Sequence, residues 1–297
     1  MEQESNIKER PVQQVITAHK QQEGGGFIVR RPLPSMGFDD FDPFLLIDEM
    51  GPISYKPGEA VGAPDHPHRG FETVTYILEG EGQHEDSAGH KGFIGPGDVQ
   101  WMTAGSGVVH SEMPSENIMK KGGVVHGFQI WVNLPSHKKM TAPRYQEVSR
   151  HDIPHATTDD GLTQVKVIAG EALGAKAVID THTPIIYQDW TLQPGAQVTT
   201  SIPEDHQAGI YVFAGSVQIG SNLETVRDGQ LALLGRGEEV QFSVPSSATE
   251  NARFLLLAGV PLNEPVARYG PFVMNTEAEL QQAFHDYQNG RMGTILR

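Results

Sequence analysis

Short apolar runs broken by glycine and proline recur along the whole chain. The clearest covers 126–134. There His126, Phe128, Ile130, Val132 and Leu134 fall on one side and Gln129, Trp131 and Asn133 on the other, the period of a β-strand. A second run, 71–78, ends in Glu79-Gly80-Glu81-Gly82, and Gly95-Pro96-Gly97-Asp98 closes another turn. Such turns between strand-length runs are hairpin signals. Further strands are expected at 15–19, 27–31 and 44–47, with a Gly/Pro loop over 51–64. The second half repeats the pattern at 165–169, 184–192, 197–202, 210–219, 231–234, 240–244 and 254–259.

Two features refine this picture. Tyr76-Ile77-Leu78-Glu79-Gly80 is echoed by Tyr211-Val212-Phe213-Ala214-Gly215, an offset of 135, which reads as an internal duplication. Near the end, Thr276-Glu277-Ala278-Glu279 has the form of a capping box. Leu280, Phe284 and Tyr287 follow at helical spacing and Gly290 is a stop. The expectation is an all-β chain of two tandem barrels with a short C-terminal helix. The first barrel is placed at 1–135, a linker at 136–163 with a short strand at 145–148, and the second barrel with the helix at 164–297. Residues 1–12 are expected as a mobile tail.

Composition narrows the function. The 297 residues contain 33 glycines and 20 prolines, in keeping with many turns. The net charge is −15, which repels phosphate backbones and leaves no basic footprint for direct nucleic-acid binding. There is no cysteine, so no disulfide and no thiol chemistry. No apolar run approaches the ~20 residues of a membrane helix, and the polar N-terminus lacks a signal-peptide core. The sequence reads as soluble and cytoplasmic.

The chemistry concentrates in 65–114. His66-Pro67-His68 opens this stretch and His110-Ser111-Glu112 closes it. On a strand, residues two apart leave from the same face, so each end aims two donors at one point. An isolated H-x-H is ordinary, but two such pairs separated by hairpins can converge into one pocket. Three imidazoles and a carboxylate suit Zn, Fe, Ni or Mn. The offset of 135 maps His66, His68, His110 and Glu112 to Ser201, Pro203, Pro245 and Ser247. A register of 132 puts the last two at Phe242 and Val244. Neither leaves a ligand set, so one metal per chain is expected. His126 reads as a hydrogen-bonded core residue and His84 and His90 as solvated loop residues. Pro154 opposes a helical pairing of His151 with His155.

Residues 65–73 and 100–114 resemble the pirin family of the cupin superfamily. So do Asp42-Pro43-Phe44-Leu45-Leu46, the run 126–134 and Tyr269-Gly270-Pro271-Phe272-Val273-Met274-Asn275. The resemblance implies a bicupin, each half a double-stranded β-helix. It implies Fe2+ in the N-terminal barrel on His66, His68, His110 and Glu112, with Ni, Mn, Co, Cu and Zn left open. In the general cupin motif a glutamate at the place of Glu72 is a ligand. The resemblance favours Glu112 in that role. A bulge at Gly70 would set Glu72 back from the metal, and Glu72 and Glu112 are both candidates for the proton acceptor. Two functions follow from it. One is a quercetin 2,3-dioxygenase-like enzyme acting with O2 on a flavonol or similar aromatic enol. The other is an iron-dependent regulator that docks on a transcription factor or another protein partner. An open apolar cavity at the metal would favour the enzyme, and a metal beneath a flat charged surface the regulator.

Overall fold

A computed structural model describes residues 8–35 and 37–297. Residues 19–150 together with 262–297 form one compact unit, and 151–261 with the chain up to Ala18 form the other. Each unit is a cupin barrel of one seven-stranded and one four-stranded antiparallel sheet.

In the first unit, strand Phe71–Glu79 lies between Val99–Thr103 and Gly123–Asn133. Phe44–Tyr55, Phe27–Leu33 and His19–Glu23 extend the sheet on one side and Arg144–Val148 on the other. The four-stranded sheet runs Ala63–His68, Val108–Pro114, Gly82–Asp86, Lys91–Ile94. The second unit repeats the plan. Gln207–Ala214 lies between Gln230–Leu234 and Ala252–Gly259, and Gln197–Ser201 pairs with Glu239–Ser243. The echo at an offset of 135 therefore marks equivalent central strands. The interior of this second barrel is apolar: Val198, Val240 and Phe242, on the strands equivalent to those of the histidine pairs, sit in its core with Trp190 and Phe254.

The expected division at 135 and 164 is corrected at both ends of the chain. Val12–Thr17 was assigned to the first barrel, but it pairs antiparallel with Gln230–Leu234 of the second. Val12 and Val15 pack against that barrel's core. Conversely, Phe272, Met274, Leu280, Ala283, Met292 and Ile295 cluster with Val109 of the first barrel. Both ends alternate apolar residues with polar ones, and that pattern specifies burial without naming the partner. The expected tail is shorter than 1–12. Arg10 is buried, its Nη1 donating to the Gly235 carbonyl, while residues 1–7 lie outside the described residues. Within the linker the expected strand is present as Arg144–Val148, paired with Val99–Thr103, and a further strand, His155–Thr157, pairs with Thr163–Ala169.

Two local elements also differ from expectation. Strand Phe44–Tyr55 runs on into the expected 51–64 loop, because it pairs with Gly123–Asn133 over most of its length. A helix, Glu116–Lys121, follows the second histidine segment and is capped by the Ser115 hydroxyl, which accepts from the Ile118 N–H. The C-terminal helix Glu277–Gln288 has the expected capping box.

Candidate metal centre

Strand register assembles the centre. Ala63–His68 and Val108–Pro114 are antiparallel neighbours, with His110 opposite His66 and Val108 opposite His68. Pro67 has no N–H to give a ladder, and its strand is accordingly at the sheet edge. The three imidazoles each offer a ring nitrogen, and these nitrogens lie within 4.8 Å of one another. His66 is half-buried, while His68 and His110 are 4% and 1% exposed.

The hydrogen bonds fix which nitrogens face inward. Nδ1–H of His66 donates to the Pro64 carbonyl (2.7 Å) and Nδ1–H of His68 to that of Pro271 (3.2 Å), leaving both Nε2 atoms as donors to a metal. Neither ring nitrogen of His110 has a hydrogen-bond partner among the described residues. An orphaned imidazole in a buried site is costly unless something binds it. Burial first, and then the neighbouring imidazoles, hold the pKa values of His68 and His110 well below the ordinary histidine value. Neutral imidazole is the ligating form. This donor set fits a divalent transition metal.

Glu112 stands apart from that group of three. Along Val108–Pro114 the ladder with Gly82–Asp86 is regular, so His110 and Glu112 share a face as expected. The carboxylate is engaged in the cavity wall. Thr75 Oγ1 donates to Oε1 (2.7 Å), and Gln129 Nε2 lies 3.0 and 2.9 Å from the two oxygens.

Glu72 is not brought to the site. Gly70, at φ +89°, breaks the chain between Ala63–His68 and Phe71–Glu79, so parity does not carry across. Thr75 and Ile77 line the cavity. Glu72 is on the other face, buried, and accepts from Thr103 Oγ1 at 2.6 Å. Gly70 thus separates the two strands, and Glu72 is not among the cavity-lining residues.

His84 is the residue the sequence reading missed. It is 2% exposed, opposite Glu112 in the ladder, with its ring 5.3 Å from that of His110 and stacked on Tyr145 at 4.9 Å. Burial works against the charge on Asp86, but hydrogen bonds from His84 and His90 hold its pKa at about 2. The signal was the H-x-D spacing of His84 and Asp86, which on a strand puts both on one face. His126 is hydrogen-bonded, as expected, its Nε2 2.9 Å from Glu49 Oε1.

The cavity beside the imidazoles has a volume of about 630 Å3, and His66, His68 and Glu112 open onto it. Its wall is largely apolar, including Phe27, Met50, Ile53, Ile77, Val125 and Trp131. The C-terminal segment completes it with Arg268, Gly270 and Pro271. The alternation at 126–134 thus points the opposite way from the simple reading. Gln129 and Trp131 face the cavity, while Phe128 turns to the other face and stacks on Tyr76.

Comparison with known proteins finds matches over both halves of the chain. Residues 26–132 match the family described as Pirin, and 187–293 match the Pirin C-terminal cupin domain. A pirin-like protein of Solanum lycopersicum is 46% identical over 97% of this chain and 96% of its own. Homo sapiens pirin is 45% identical over 94% and 92%. A crystal structure of quercetin 2,3-dioxygenase from Acinetobacter baumannii superposes with a TM-score of 0.90 at 40% identity, covering 97% of this chain and all of that one.

Proposed function

The chain belongs to the pirin family, and from that premise we propose that it is a metal-dependent oxygenase of the quercetin 2,3-dioxygenase type, opening an aromatic enol such as a flavonol with O2. The observation that carries this reading is the apolar cavity of about 630 Å3 at the three imidazoles. That volume lies in the range of small-molecule sites. An open apolar cavity is also the feature expected of an enzyme rather than of a regulator with a metal under a flat charged surface.

In this reading His66, His68 and His110 hold an Fe2+ ion, with Glu112 as the fourth donor. When bound, such an ion would supply Lewis-acid activation of the enol. The protein's own part is positioning and proton transfer. The apolar wall, including Phe27, Met50, Ile53, Ile77 and Val125, binds the flat ring system and excludes water. Glu112, oriented by Thr75 and Gln129, takes up the hydroxyl proton of the substrate on its second oxygen. Proton transfer of this kind contributes typically 10²–10⁴-fold.

The test is oxygen uptake. Iron-loaded protein mixed with quercetin in air should consume O2 in step with loss of the flavonol absorbance, and His110→Ala should lose at least ~10²-fold in rate. A loaded protein that consumes no O2 with quercetin or 3-hydroxyflavone would end the oxygenase reading.

A further inference from the structure

Two cations stand among the described cavity-lining residues, Arg31 and Arg268. They are held very differently. Arg31 is neutralised: its guanidinium is clasped by Asp48, with Nε to Oδ1 at 2.5 Å, and Nη2 also reaches Glu23 at 2.7 Å. Arg268, on the short strand Ala267–Tyr269, has no salt bridge among the described residues and is exposed to the cavity. One of its donors, Nη1–H, goes to the Leu45 carbonyl at 3.0 Å. Its guanidinium lies over the ring of Trp131, 4.9 Å from the centroid, a stacking that fixes the plane of the fork without using its N–H groups.

Position makes this arrangement useful. The Trp131 ring is 5.2 Å from that of His68. The two spacings set about 10 Å as the upper bound between guanidinium and ligand imidazole, within the length of a three-ring aromatic molecule. A flat substrate with its enol at the imidazoles thus has Arg268 within its length. The Asp48 and Glu23 carboxylates act on Arg268 as well as on Arg31, but neither is salt-bridged to it among the described residues, and a planar guanidinium with N–H groups not used in an ion pair favours a planar anionic acceptor.

We infer that Arg268 is a specificity-determining residue that selects aromatic substrates carrying an anionic oxygen group, a carboxylate or an ionised phenol, on the ring remote from the metal. This rests on the oxygenase reading for the enol end but not for the anion end. The strand Ala267–Tyr269 thereby supplies substrate recognition.

Trp131 provides the readout. The other two tryptophans, Trp101 and Trp190, are 0% exposed, so contact quenching by a cavity ligand reports on Trp131, and calorimetry of the same titrations separates it from energy transfer to the buried pair. Metal-loaded wild type and Arg268→Gln would be titrated with 2-naphthoate and with its neutral amide, and wild type also with 4-hydroxy-substituted and unsubstituted flavonols above and below the phenol pKa. The wild type should prefer naphthoate to the amide by at least ~10-fold, the gain of a charge-assisted bidentate contact. Arg268→Gln should lose that preference while binding the amide as before and melting at the wild-type temperature. A parallel gain for the ionised phenol would extend the class to phenolates. No preference in wild type, or a preference undiminished in Arg268→Gln because the carboxylate sits on the metal, overturns the inference. Quercetin turnover is read separately, so loss of the oxygenase reading would not be mistaken for loss of this one.

Discussion

Two glutamates of this barrel show what a single side chain's surroundings decide. Glu72 and Glu112 looked interchangeable as carboxylates near a histidine pair. One is buried against Thr103 on the far side of its strand, and the other lines the cavity beneath Thr75 and Gln129. Glu72→Gln should therefore leave metal content and turnover within about twofold of wild type. It should cost on the order of 1–2 kcal/mol of stability, since a buried charge-assisted hydrogen bond weakens; urea unfolding measures this. Glu112→Ala should instead weaken metal retention at least ~10-fold, read by dialysis against a chelator, and abolish turnover. A Glu72→Gln protein that keeps its metal but fails to turn over substrate would restore Glu72 as the proton acceptor. The i, i+2 spacing made the histidine pairs legible. The turn at Gly70 hid the fate of Glu72, because parity survives only along an unbroken strand.

At the scale of elements, the C-terminal strap holds the histidine strand in place. Lys139 is 1% exposed, and its ammonium donates to the Gly70 carbonyl (2.7 Å), the Val273 carbonyl (3.0 Å) and Asn133 Oδ1 (2.6 Å). Burial lowers its pKa to about 8. It joins the turn after His68 to the strand after Pro271, whose carbonyl orients His68. Lys139→Met would leave three buried acceptors unpaired and should cost roughly 3 kcal/mol, with metal loss accompanying it. On the adjacent residue, Arg69 Nη1 donates to Asp286 on the C-terminal helix (2.9 Å) and Nε to the Ser106 carbonyl (2.7 Å). The hydrogen bond from Arg69 is the main cause holding the Asp286 pKa at about 2, against an ordinary 3.8. A depressed carboxylate contributes stability above its unfolded pKa and loses it as pH falls through the folded one. The melting temperature of wild type should thus drop between about pH 4 and pH 2 by more than that of Asp286→Asn. Equal acid profiles would remove the ion pair from the account. No sequence signal paired Lys139 or Arg69 with residues over a hundred positions away; only the helix itself, through its capping box, was legible.

For the molecule as a whole, the duplicated strand pattern and the long motifs at 65–73 and 100–114 carried the fold: two barrels of the same strand plan, one with histidines on paired strands and one with Val198, Val240 and Phe242 there. The exchange of chain ends between the units escaped, since an alternating strand such as Val12–Thr17 can complete either sheet until register is known. The cavity escaped for a related reason. Trp131 and Gln129 were the minority face of an alternating strand, and a barrel lined for a ligand reverses the usual meaning of that alternation. The central claim is that His66, His68 and His110 are one metal centre, the site on which the oxygenase reading depends. Elemental analysis after exhaustive dialysis tests it most directly. Wild type should hold one first-row metal ion per chain and His110→Ala less than about a tenth as much. A full equivalent in His110→Ala, or none in wild type purified with metal present, would contradict it.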